Sequence, residues 1–174
     1  MKTLRLTTRL MVMGCGLVVL AGCTPKTATL AGRDDDARRQ IRTRIVGIRD
    51  SILARSAEGI VRDSTDDWSF TGPDGVKFDR VGFIVRTKAL FARVTAIESL
   101  DTAVDQIVLG RDTADVEITQ TMVRQEKDPT TQVVTRLWLR YREKHRWVKT
   151  SRGWCVQSVS FIGTPERRVL PLVP

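Results

Sequence analysis

The chain is predicted to fold as an α+β domain in which helices come first and a mostly antiparallel sheet follows. Two observations carry this prediction: isoleucines at helical spacing early in the chain, and long alternating segments joined by hairpin-length turns in the second half. With 41% hydrophobic and 28% charged residues, the 174-residue chain has a globular composition, and its length allows a single core.

The elements follow in order. Asp34, Asp35 and Asp36 suit the positive end of a helix dipole, and Ile41, Ile45, Ile48 and Ile52 then place one apolar stripe toward a core. Ser56 is placed to cap a shorter helix with Ile60 and Val61 that ends near Ser64. Trp68-Ser69-Phe70 alternates as a strand does, Gly72-Pro73-Asp74-Gly75 supplies a turn, and Val76 to Phe78 returns. Asp79 can cap a third helix carrying Phe83, Ile84, Leu90, Phe91 and Val94. Four strands are expected beyond it, at about Thr95–Leu109, Ala114–Glu126, Gln132–Lys149 and Trp154–Ile162, with turns at Gly110-Arg111-Asp112, Asp128-Pro129 and Ser151-Arg152-Gly153. Residues 163–174 hold three of the six prolines and are expected to be a terminal extension.

The N-terminus has its own pattern. Lys2, Arg5 and Arg9 precede an apolar run of eleven residues, Leu10 to Leu20. That is short of the roughly 20 residues needed to cross a bilayer as a helix, and it matches a signal peptide. Leu20-Ala21-Gly22-Cys23 resembles the lipobox of bacterial lipoproteins. The resemblance implies that residues 1–22 are a cleaved signal, that Cys23 is lipidated, and that the protein's first partner is a membrane. Thr24, where an aspartate would favour the inner membrane, implies an outer-membrane anchor with the domain facing the periplasm. One acyl chain binds marginally at about 0.8 kcal/mol per buried methylene, so durable attachment follows from several. The expected organisation is a signal at 1–22, lipidated Cys23 and a flexible tether at 23–33, a domain at 34–163, and the extension at 164–174.

Helices, a short hairpin around Trp68 to Gly75, one more helix, and long strands ending at Gly153-Trp154: this order, over residues 34–162, resembles the cone-shaped fold of the nuclear transport factor 2-like superfamily. The resemblance implies a curved sheet around the helices with a pocket between them. Members include isomerases, dehydratases and cyclases, and also binding and dimerisation domains without chemistry, so the fold alone selects no activity.

The longest strand is the most informative. At period two its odd positions are Val133, Thr135, Leu137, Leu139, Tyr141, Glu143, His145 and Trp147, and its even positions include Arg136, Trp138, Arg140, Arg142, Lys144 and Arg146. Glu143 and His145 are the residue types of general acid–base work, and Asp67 is a further carboxylate near the expected pocket. The plainer account has Tyr141, Glu143 and His145 emerging into solvent at a strand end, with Asp67 in a turn; on that account no residue is catalytic. Trp68, Phe70, Phe83 and Tyr141 are the candidates for contact with a small apolar ligand. Cys155 has no partner cysteine, and a nucleophilic role would require His145 beside it. Three cysteines and one histidine do not make a clustered metal site, and nothing calls for an organic cofactor.

The even face is a candidate surface for an anionic partner, or for a homodimer formed through the sheet. The formal net charge of +9 divides informatively. Residues 1–22 account for +3, and residues 131–154, with seven cations against Glu143 alone, account for the remaining +6. The rest of the chain is neutral, so the basicity marks export and one local surface, and nucleic acid is not an expected partner. The sequence favours a lipid-anchored envelope protein with a non-catalytic binding or interaction domain. The alternative is a cofactor-independent isomerase, dehydratase or cyclase acting on a small apolar substrate.

Overall fold

The computed structural model describes residues 30–172; the expected signal, Cys23 and most of the expected tether lie outside the described residues. Helix α1 (Leu30–Leu53) starts four residues ahead of Asp34, inside the segment expected to be a tether. Its isoleucine stripe is the buried one: Ile41 is fully enclosed, and Ile45, Ile48 and Ile52 continue the same face. The helix closes with Arg55 in a left-handed conformation (φ 53°), held by a 2.8 Å hydrogen bond from its Nη1 to the Val94 carbonyl. Helix α2 (Ala57–Ile60) follows, with Ser56 Oγ accepting from the Gly59 amide.

Strand β1 (Ser64–Thr71) and the short β2 (Lys77–Asp79) form a hairpin in which Phe70 lies opposite Phe78. The turn is closed by hydrogen bonds from Gly75 N to Gly72 O and from Gly72 N to Val76 O, and Gly75 takes a positive φ of 76° that a side chain would resist. Helix α3 (Arg80–Phe91) is capped by Asp79, whose Oδ1 accepts from the Gly82 amide. The helix ends short of Val94, which opens the first long strand instead of closing the helix.

Strands β3 (Val94–Leu109), β4 (Thr113–Lys127), β5 (Val134–Thr150) and β6 (Gly153–Leu170) form a meander, and the six-stranded order is β2-β1-β6-β5-β4-β3. All neighbours are antiparallel except β1 and β6, which run parallel. That pairing is reached through the long connection over α3 and the meander, as parallel neighbours require.

The expected C-terminal extension is overturned. Strand β6 continues to Leu170, with Glu166 opposite Arg140 and Leu170 opposite Arg136. The register shifts between Arg142–Ile162 and Arg140–Glu166, so Gly163 (φ 71°) and Pro165 sit in the irregularity, where an absent N–H breaks no ladder bond.

The core lies between α1 and the inner face of the sheet. Ile41, Val61, Val116, Ile118, Trp147 and Trp154 form its centre. An arginine pair holds the helix to the strand ends: Arg44 bridges to Asp63 at 2.7 Å and donates to the Arg152 carbonyl, while Arg152 donates to the Ser64 carbonyl. Among the described residues, no helix is long and apolar enough to cross a membrane.

Candidate functional site

The site begins with a register. Strands β4 and β5 pair without a break from Thr113–Val148 to Lys127–Val134, so the alternation along β5 never changes face. Tyr141 lies opposite Gln120, Glu143 opposite Ile118, and His145 opposite Val116, all on the side turned toward the helices. Above this face stand Ile48 and Ile52 of α1, Ile60 of α2, and Phe83, Thr87 and Leu90 of α3. The space between is a cavity of about 190 Å³.

Aromatic packing shapes one wall. Phe83 meets Trp68 edge-on at 5.0 Å and Phe70 at 5.1 Å, Phe161 meets Phe70 edge-on at 5.7 Å, and Tyr141 lies 5.5 Å from Phe161. Such offset and edge contacts fix ring positions beyond what burial alone would do. The four expected ligand-contact residues, Trp68, Phe70, Phe83 and Tyr141, all line the cavity.

The polar wall is on β4 and β5. The expectation that Tyr141, Glu143 and His145 emerge into solvent is overturned: Glu143 is 8% exposed and His145 2%. They run toward Trp147, which shares the core with Ile41 and Ile45 of α1. Glu143 Oε2 and His145 Nε2 share a 3.0 Å hydrogen bond, and His145 Nδ1 has no protein partner among the described residues. The Tyr141 hydroxyl donates to Gln120 Oε1 at 3.0 Å. Burial pushes the Tyr141 phenol well above its usual range; the Glu143 charge adds to the rise and Arg124 opposes it. A carboxylate joined to an imidazole inside an apolar cavity is an arrangement that can hold and move a proton.

Asp67 is not part of this set. It is exposed on the strand face opposite its neighbour Trp68, and its Oδ2 accepts from Gln157 Nε2 at 2.9 Å. Cys155 is buried but pairs opposite Val148 and touches Thr150 Oγ1 at 3.4 Å, whereas His145 pairs opposite Val159. The two therefore do not meet. No group of three or more metal-ligating side chains occurs among the described residues.

Sequence reasoning missed Gln120, Met122 and Arg124, which line the same cavity. The signal was present in β4: Val116, Ile118, Gln120, Met122 and Arg124 occupy one face, and its polar members interrupt an otherwise apolar row.

The basic face of β5 is laterally neutralised. Arg136 pairs with Glu98 of β3, Arg142 with Glu117 and Arg146 with Asp115 of β4, at 2.7, 3.0 and 3.0 Å, while Arg140 lies 3.8 Å from Glu166 of β6. Lys144 is exposed on the same row. The face is a lattice of surface ion pairs instead of an open cationic stripe.

No protein-family model and no curated protein matches the sequence. Solved structures do match. A proposed scytalone dehydratase from Novosphingobium aromaticivorans superposes with a TM-score of 0.69 at 10% identity, covering 83% of this chain and 94% of that one. A nuclear transport factor 2-like protein from Cytophaga hutchinsonii gives 0.57 at 16%, covering 73% and 98%. A ketosteroid isomerase-like protein from Erwinia carotovora gives 0.55 at 17%, covering 71% and 95%. Identities this low carry a fold and no activity. The chain therefore has the nuclear transport factor 2-like fold, a mixed, mostly antiparallel six-stranded curved sheet with few helices.

Proposed function

We propose that this chain is a lipid-anchored envelope protein whose domain binds a small, largely apolar molecule in the cavity between the helices and the sheet. One observation carries the binding reading: an aromatic and aliphatic cavity that converges on a few buried polar groups, the usual composition of a small-molecule site. The anchor is supported by Leu20-Ala21-Gly22-Cys23, and Thr24 after the cysteine supports an outer-membrane location with the domain facing the periplasm. Binding is tested by calorimetry with a neutral probe, 3-phenylpropan-1-ol, on the native chain and on Thr87→Phe, which fills the cavity from α3. The native chain binds and the variant does not; equal heats from both would refute the reading. The anchor is tested by Cys23→Ala, which releases the protein from membranes or blocks its processing; unchanged membrane fractionation would reject it.

A second reading is favoured by the Glu143–His145 hydrogen bond inside the cavity. In it the domain is a cofactor-independent isomerase, dehydratase or cyclase, with His145 as the proton-transfer group and Glu143 orienting the ring. Turnover of a cavity ligand that falls at least about 100-fold in both Glu143→Gln and His145→Gln supports this reading. A bound ligand recovered unchanged after prolonged incubation leaves binding as the function.

A further inference from the structure

We propose that the molecule taken by the cavity is a small organic acid, its carboxylate seated at Arg124 and its apolar body beneath α1 and α3. The inference rests on the ligand-binding reading above and adds the chemical class of the ligand.

Arg124 is the observation that carries it. The residue sits on the inner face of β4, two positions beyond Met122, and lines the same cavity as Tyr141. Its side chain is 14% exposed. Arginine stays charged and offers five N–H donors. Here Nη2 pairs with the Glu126 carboxylate, and among the described residues Nη1 meets only the Met122 thioether, a weak acceptor 3.9 Å away. The buried Nε has no acceptor among the described residues. A charged group with idle donors at the wall of an apolar cavity is what an incoming carboxylate completes.

The cleft beside the cavity has the same sign. It shares Phe70, Phe83, Thr87 and Leu90 with the cavity, and carries Arg86 and Arg93 against one acid, Asp74. The Arg86 guanidinium is held over the Phe78 ring at 5.1 Å from its centroid. Three arginines in the two spaces, set against Asp74 and Glu143, leave a balance of one positive charge, which favours a monoanion. A dianion would overload a guanidinium that Glu126 already shares.

Glu143 does not oppose this placement. Arg124 lies opposite Leu137, and Glu143 lies six residues further along β5. At roughly 3.3 Å per residue their backbone positions are about 20 Å apart, so the two charges line opposite ends of the same cavity. The Glu143 carboxylate is also engaged with His145. Tyr141 lies between the two ends, four residues past Leu137 and two before Glu143 on β5. The ligand's carboxylate therefore takes the Arg124 end, and its far end points toward Tyr141 and Gln120.

The test is calorimetry on the full chain in phosphatidylcholine nanodiscs, with empty nanodiscs as blank, comparing 3-phenylpropionate with 3-phenylpropan-1-ol. The acid binds about tenfold or more tighter than the alcohol, as expected for a charge-assisted hydrogen-bonded pair. Arg124→Met removes that preference and leaves the alcohol's affinity in place, Arg124→Lys keeps part of it, and Glu126→Gln enlarges it. Alcohol and acid binding alike, or an acid preference that survives Arg124→Met, overturns the acid assignment and leaves the ligand reading standing. Failure of both probes to bind overturns both. Should Arg124→Met lose its native circular dichroism, the Glu126→Gln arm decides, and an acid affinity that is unchanged or weakened overturns the proposal.

Discussion

Tyr141 is the sole tyrosine of the chain, so its ionisation can be followed without assignment. Folding buries the phenol, and Glu143 adds a negative charge to its surroundings, so the folded protein holds it neutral above the unfolded value of about 10. The sign of the linkage is fixed: in alkaline solution the unfolded chain releases this proton and the folded one retains it. The contribution is fully present below about pH 10 and is lost as pH rises toward the folded value. Each pH unit above the unfolded pKa removes about 1.4 kcal/mol, so by about pH 11.5 this one group has cost the fold about 2 kcal/mol. The assay is the near-ultraviolet absorbance of tyrosinate beside circular dichroism through an alkaline titration. In the native chain tyrosinate appears together with loss of the native dichroism. In Glu143→Gln, which keeps shape and removes charge, ionisation begins at lower pH. Tyrosinate forming near pH 10 with native dichroism intact would show that the phenol is not enclosed, and the geometry of the cavity would be wrong.

Three further outcomes follow from the packing. Ile41→Ala, at a fully buried position between α1 and the sheet, lowers the unfolding free energy by about 3 kcal/mol in urea titration, and an effect below about 1 kcal/mol would contradict the core described. Truncation after Gly163 removes the outer half of β6 from its pairing with Arg136–Arg140, so amide exchange along that part of β5 accelerates; unchanged protection would return this segment to the status of an extension. Arg136, and secondarily Gln125, hold the Glu98 carboxyl below its usual range, so its side-chain resonance titrates at lower pH than an ordinary glutamate and returns toward normal in Arg136→Met. An identical titration in the two proteins would remove the pair.

Much of the fold was legible because local chemistry and tertiary structure agree. The Ile41–Ile52 stripe, the Ser56 and Asp79 caps and the turn at Gly72–Gly75 each carry their own signal. The alternation of β5 sorted its residues correctly onto two faces, because β4 pairs with it without a bulge. What alternation leaves open is what lies above a face. Tyr141, Glu143 and His145 read as a solvent-facing strand end until α1 and α3 are placed over them, a relation between residues far apart in sequence. The same gap concealed the acids that neutralise the basic face, since Glu98, Asp115, Glu117 and Glu166 come from three other strands. Pro165 signalled an end to β6 because a proline's exemption at a bulge depends on the partner's register. Arg124 was the missed opportunity, a cation at an inward position of a strand already known to alternate.

The proposed ligand site is the space between the helices and the sheet. Methyl-resolved nuclear magnetic resonance of isoleucine-labelled protein during addition of 3-phenylpropan-1-ol tests it most directly. Shifts are expected at Ile48, Ile52 and Ile60, which line the cavity, with Ile41 and Ile45, packed into the core beside it, moving little. Saturable shifts confined to other isoleucines, or none at all, would contradict it.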